Sequence, residues 1–168
     1  PKQAQQFVSQ TNVDALAIAI GTSHGAYKFS KRPDETVLCI NQVEQIARMI
    51  PNTPLVLHGS SSVPEELCLL LNQYGGNIPE TFGVPVEAIV QSIQHGVCKV
   101  NIDTDLRLAA TVAIRRSLSQ NPKDFDPRSY LKCAKLAMQK ICESRFEAFG
   151  SANQSHNNLE FAYEPVTA

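Results

Sequence analysis

The 168-residue sequence carries 15 lysines and arginines against 16 acidic residues, a formal net charge of −1. Such a balance gives no electrostatic argument for nucleic acid or an anionic membrane as a partner. No apolar run approaches the roughly 20 residues of a membrane span, and Pro1-Lys2-Gln3-Ala4-Gln5-Gln6 lacks the apolar core of a signal peptide.

A narrow apolar face (Ala4, Phe7, Val8) predicts a helix over residues 2–10, opened by Pro1, which suits a first helical turn. No capping residue precedes it, so the chain is expected to begin in the middle of a domain. Ala15 to Ile20 is then an unbroken apolar run, the mark of a strand buried on both faces, and predicts a first strand over 13–21. A polar loop over 22–36 carries His24, Gly25, Lys28, Lys31 and Arg32. Ile40, Val43, Ile46 and Ala47 recur at helical spacing and predict a helix over 37–49, ended by Pro51 and Pro54. The second strand, 54–59, repeats the pattern of an apolar run followed by His58 and Gly59. Pro64-Glu65-Glu66 opens a helix with acidic residues at its positive end, which stops near Gly75-Gly76. A short helix over 85–94 closes at His95-Gly96. The third strand is 97–102, the next helix 106–118, and the last long helix 129–149, stopped by Gly150. Residues 153–168 are polar and aperiodic and read as a loose tail.

Strands alternating with helices predict a parallel sheet with helical cover. A complete (β/α)₈ barrel typically takes about 250 residues, and three strands are too few to close one. The expected architecture is therefore α/β, with residues 1–152 forming the C-terminal part of a TIM barrel whose N-terminal strands are missing, and 153–168 a polar tail. Length alone predicts one domain.

Polar groups at the carboxyl ends of parallel strands are where such folds keep their chemistry. His24 and His58 stand at equivalent places after adjacent strands and could converge on a metal. The alternative is two independent histidines capping strands or bonding loops. Catalytic zinc usually takes three protein ligands, and no third is evident, because His95 and His156 read as surface histidines. Five cysteines (Cys39, Cys68, Cys98, Cys133, Cys142) form no C-x-x-C pair; they read as thiols of a reduced, cytoplasmic chain. Gly25, Lys28, Gly59 and Ser61 suit a phosphate through glycine-flanked N–H groups, a hydroxyl and an ammonium. Asn101, Asp103, Thr104 and Arg107 join them in the third loop, although Asp103-Thr104-Asp105 also reads as a plain helix N-cap with an acidic first turn.

The segments Gly21-Thr-Ser-His-Gly-Ala-Tyr-Lys-Phe29, Leu57-His-Gly-Ser-Ser61 and Asn101-Ile-Asp-Thr-Asp-Leu-Arg107, in this order, resemble the class II, metal-dependent fructose-1,6-bisphosphate aldolases. Phe125-Asp-Pro-Arg-Ser-Tyr130 and Arg145-Phe-Glu-Ala-Phe-Gly-Ser-Ala152 extend the likeness to nearly the whole chain. Within the family, the nearer match is to the glycolytic and Calvin-cycle type. The resemblance implies reversible cleavage of fructose 1,6-bisphosphate into dihydroxyacetone phosphate and glyceraldehyde 3-phosphate, with zinc stabilising the enediolate. It makes His24 and His58 zinc ligands, and Gly25, Lys28, Gly59 and Ser61 the site for the phosphate of the dihydroxyacetone half. A monovalent cation near that phosphate is a further expectation. Asn101 is expected to contact the ketose hydroxyls; Asp103, Thr104 and Arg107 the sugar and the other phosphate. Arg128 is expected to reach that other phosphate from a neighbouring subunit, in a homodimer or tetramer.

The chain departs from the family at a third zinc histidine and a catalytic aspartate, which belong to an early strand with no counterpart here. The catalytic base is thus expected upstream of Pro1, and the isolated chain is expected to be inactive. Two other readings stay open: a tagatose-1,6-bisphosphate aldolase, and a phosphosugar- or metal-binding fragment without catalysis.

Overall fold

The computed structural model describes residues 1–22, 29, 33 and 38–154. His24, Gly25, Lys28, Lys31, Arg32 and the tail from residue 155 on, with His156, lie outside the described residues.

The apolar runs become β1 (Leu16–Ile18), β2 (Leu55–Leu57) and β3 (Val97–Val100), a parallel three-stranded sheet in the order β1-β2-β3. The paired cores are shorter than the predicted strands, yet single bonds carry the ladder past them. Leu16 N–H donates to Pro54 O and Asn101 N–H to Leu57 O, each at 2.9 Å. The rows Leu16–Leu55–Val97 and Ile18–Leu57–Val100 alternate with Ala17–Val56–Lys99. The first two rows pack into the main core with Leu38, Val43, Ile46, Ile50, Ala88 and Ile89. The Ala17–Val56–Lys99 row faces the other way, and its two outer members are exposed. The expectation that the first strand is buried on both faces is therefore corrected: only β2, flanked by a strand on each side, is buried at every residue.

Six helices surround the described sheet: α1 (Lys2–Thr11), α2 (Ile40–Met49), α3 (Glu65–Gln73), α4 (Val86–Gln94), α5 (Thr104–Gln120) and α6 (Pro127–Ala148). The start of α2 is tied to the end of β1 by Cys39 N–H donating to Ile20 O at 2.9 Å. Both α5 and α6 begin two residues earlier than the hydrophobic period predicts. In α6 the reason is local: Pro127 takes the first helical position and the Asp126 carboxylate accepts from Arg128 N–H at 3.0 Å. α5 and α6 pack along one another, and α5 also packs on α3, placing the α5 N-terminus beside the segment that follows β2.

Candidate active site at the carboxyl ends of the strands

His58 leaves β2 two residues after Val56, and Asn101 leaves β3 two residues after Lys99, so both continue the Ala17–Val56–Lys99 face. Lys99 Nζ donates to Asn101 Oδ1 at 2.6 Å. An ammonium only donates, so it takes the amide oxygen and leaves the amide NH₂ to turn to the half-buried His58. That nitrogen lies 3.1 Å from His58 Nδ1 and 2.8 Å from Nε2. An imidazole nitrogen that accepts carries a lone pair instead of a proton, the state a metal ion requires. The Asn101 amide occupies that lone pair, so His58 could hold zinc through this nitrogen only with the amide displaced. Among the described residues, however, no group of three or more His, Cys, Asp or Glu side chains is placed to hold a metal.

Gly59 turns the chain with φ +67°, a left-handed conformation that suits a residue without Cβ. Ser60 is buried, and among the described residues its hydroxyl has no hydrogen-bond partner. Ser61 Oγ accepts from Asp103 N–H at 3.2 Å and Thr104 N–H at 3.1 Å. The hydroxyl therefore does the work of a helix cap, and among the described residues no acceptor takes its single proton. Asp103 does stand at the N-cap of α5 with Asp105 in the first turn, as the plain-cap reading has it, but its side chain makes no capping bond. Its carboxylate instead pairs with Arg107 at 2.7 Å, one turn further on, in an exposed ion pair.

Asp105 points the opposite way. It is fully buried, and its carboxylate accepts from Ser62 N–H (3.0 Å), Ser62 Oγ–H (2.9 Å) and Val63 N–H (2.8 Å). Arg145 of α6 donates from Nη2 to Ser62 Oγ at 2.7 Å and to Asp105 Oδ2 at 3.3 Å. Val63 holds φ +48°, a left-handed conformation that costs a β-branched residue on the order of 1–3 kcal/mol and persists only where its surroundings over-determine it. Asp105, with Glu65, also adds to the burial that pushes the Cys68 thiol above its ordinary pKa.

Arg128 sits on the first turn of α6 with its side chain 90% exposed. Among the described residues its hydrogen bonds go to Asp126, from Nε at 2.9 Å and Nη2 at 2.6 Å. This pairing holds the Asp126 carboxyl below the usual carboxylate range and raises the guanidinium. The described residues therefore bring together His58, Gly59, Ser61, Asn101, Asp103 and Thr104, with Arg107 one turn into α5. Arg128 stays with Asp126.

The sequence model described as fructose-bisphosphate aldolase class-II matches residues 1–154. The chain belongs to the class II fructose-bisphosphate aldolase family. It is 55% identical over 168 residues to a fructose-bisphosphate aldolase of Nostoc sp. PCC 7120, covering all of this chain and 47% of that protein. It is 59% identical over 155 residues to a fructose-bisphosphate aldolase of Pseudomonas aeruginosa, covering 92% and 44%. The chain thus spans about half the length of the curated relatives it matches. A solved structure from Coccidioides immitis, a candidate fructose-1,6-bisphosphate aldolase, superposes with a TM-score of 0.64 at 20% identity, over 94% of this chain and 45% of that one; it supports the α/β fold.

For this class II aldolase chain, sequence reasoning gave no role to Lys99 or Ser62, read Asp105 only as a first-turn acid, and quoted Arg145 only within a segment of family likeness. A signal for Asp105 was present. Two residues advance a helix by about 200°, so Asp103 and Asp105 cannot share a face. Arg107 is the i+4 partner of Asp103, which leaves Asp105 for the interior. Nothing local announces Arg145, which lies 83 residues from Ser62.

Proposed function

We propose that the chain is the C-terminal part of a (β/α)₈ barrel that cleaves fructose 1,6-bisphosphate reversibly into dihydroxyacetone phosphate and glyceraldehyde 3-phosphate, working in the cytoplasm as a homo-oligomer. The observation that carries this reading is Ser61. Its oxygen is occupied by two N–H groups of α5, and among the described residues no acceptor takes its proton; it stands beside the Gly59 turn and one residue row from an accepting His58. A phosphate oxygen is the natural acceptor for that proton, and the N-terminus of α5 adds favourable dipole. The exposed Ala17 and Lys99 support the barrel, because in a closed barrel that face is the filled interior.

In this reading Gly59 and Ser61, with Gly25 and Lys28, bind one phosphate, and Asn101 contacts the ketose hydroxyls. Asp103, Thr104 and Arg107 line the sugar towards the second phosphate, and Arg128 of a neighbouring subunit exchanges Asp126 for that phosphate. His58 and His24 hold zinc together with a ligand from another segment. Zinc, when bound, supplies Lewis-acid stabilisation of negative charge on substrate oxygens. Lys99 keeps the Asn101 amide turned to His58, and the amide would yield the lone-pair nitrogen when zinc binds.

The test pairs this chain with the N-terminal half of a full-length relative and follows triose phosphate release and zinc content. The chain alone is expected to be inactive, the pair active, and His58→Ala in the pair depleted of both zinc and activity. Undiminished turnover by His58→Ala, or by the pair kept in chelator, overturns the reading.

A further inference from the structure

We infer that Asp105 and Arg145 are positioning residues for the phosphate loop, holding residues 59–63 in the shape that lets Gly59 and Ser61 receive an anion. The inference rests on the phosphate reading of that loop.

The loop has two sides. One carries the Gly59 turn and the Ser61 hydroxyl. The other is fixed by a buried charge: two successive N–H groups, of Ser62 and Val63, converge on the Asp105 carboxylate at 3.0 and 2.8 Å. Consecutive N–H groups in a turn of this kind make an anion cradle, and here the protein fills that cradle with its own carboxylate. The Ser62 hydroxyl donates to Asp105 and accepts from Arg145, so its proton is committed within the protein. Arg145 balances the buried charge from α6, with its side chain 15% exposed against 0% for Asp105. From a further direction, Val84 N–H donates to Ser61 O at 3.1 Å. These constraints meet on the residues adjoining Ser61 and hold Val63 in its left-handed conformation.

Asp105 also sits in the first turn of α5, whose opening N–H groups Ser61 receives. The carboxylate thus fixes the distance between the loop and the helix end that share the phosphate. Neither Asp105 nor Arg145 needs to touch substrate. Both set the place of the groups that do.

The experiment uses the protein as isolated from its source, with inorganic phosphate as the probe. Affinity is measured by calorimetry, and binding is localised by the amide resonances of Gly59, Ser60 and Ser61. Asp105→Asn is expected to weaken phosphate at least tenfold at a temperature where circular dichroism and the amide spectrum outside the loop match wild type. Arg145→Met retains the apolar stem of the side chain and serves if Asp105→Asn does not fold. It is expected to weaken phosphate at least threefold, with Arg145→Lys restoring part of the loss. A role confined to stability predicts lower melting temperatures with wild-type affinity in the folded protein. Wild-type affinity in a folded variant overturns the positioning role while the phosphate reading stands. Absence of saturable phosphate binding by wild type at these amides overturns both.

Discussion

Gly83→Ala isolates the packing behind residues 59–63. A Cβ on Gly83 would lie 2.3 Å from Ser61 O, 2.4 Å from Ser62 C and 2.5 Å from Ser62 O. All three are backbone atoms, so no side chain can swing aside. Ordinary contact begins at 3.4 Å, so the loop or the segment around Gly83 must retreat by roughly 1 Å. Overpacking of this kind typically costs about 1–3 kcal/mol, and here it also pulls on the Ser62 and Val63 bonds to Asp105. We expect a loss at the upper end, about 3 kcal/mol, by urea denaturation, or roughly 6–12 °C in Tm for a protein of this size. Gly150→Ala is the control. Nothing lies within 4 Å of its Cβ, but its φ is +70°, so the cost there is conformational and about 1 kcal/mol. A Gly83→Ala protein within 0.5 kcal/mol of wild type, or no more destabilised than Gly150→Ala, refutes the argument.

Ser61→Ala leaves two α5 N–H groups without their acceptor and should cost about 0.5–2 kcal/mol by denaturant unfolding, in the range of helix-cap losses. Asp126 titrates below its ordinary 3.8 because of Arg128. The stabilisation of the α6 start is therefore present above pH 3.8 and lost as pH falls through the lower folded value. Arg128→Ala should move the Asp126 carboxyl carbon titration, read by NMR, upward; an unmoved midpoint counts against the pairing.

The order of elements was legible because apolar runs and helical periods are local signals. The exposed row was not. Ala17 sits in an unbroken apolar run, and periodicity cannot say whether a covering layer is supplied by the same segment. His58, Gly59, Ser61, Asn101, Asp103 and Thr104 were legible as a group because each follows a strand end, and parallel strands in register bring their ends together. How they bond was not legible. Asp103 reads as a helix cap, but the Ser61 hydroxyl from 42 residues away takes that place. Arg107 satisfies the freed carboxylate. Lys99 lies within a short strand, where only the pleat reveals that it shares a face with Asn101.

The 83-residue separation of Ser62 and Arg145 has a consequence for the order of events during synthesis. At about 5–20 residues per second, the residues spanning that gap take roughly 4–17 s to be added. Over the last 40 residues of that gap, roughly 2–8 s, Asp105 has been made and Arg145 has not, so the carboxylate lacks this cation. The nascent chain must hold it in water or beside another charge. Arg145 reaches Ser62 and Asp105 only when α6 docks, so this helix completes a loop that α5 has already begun to hold.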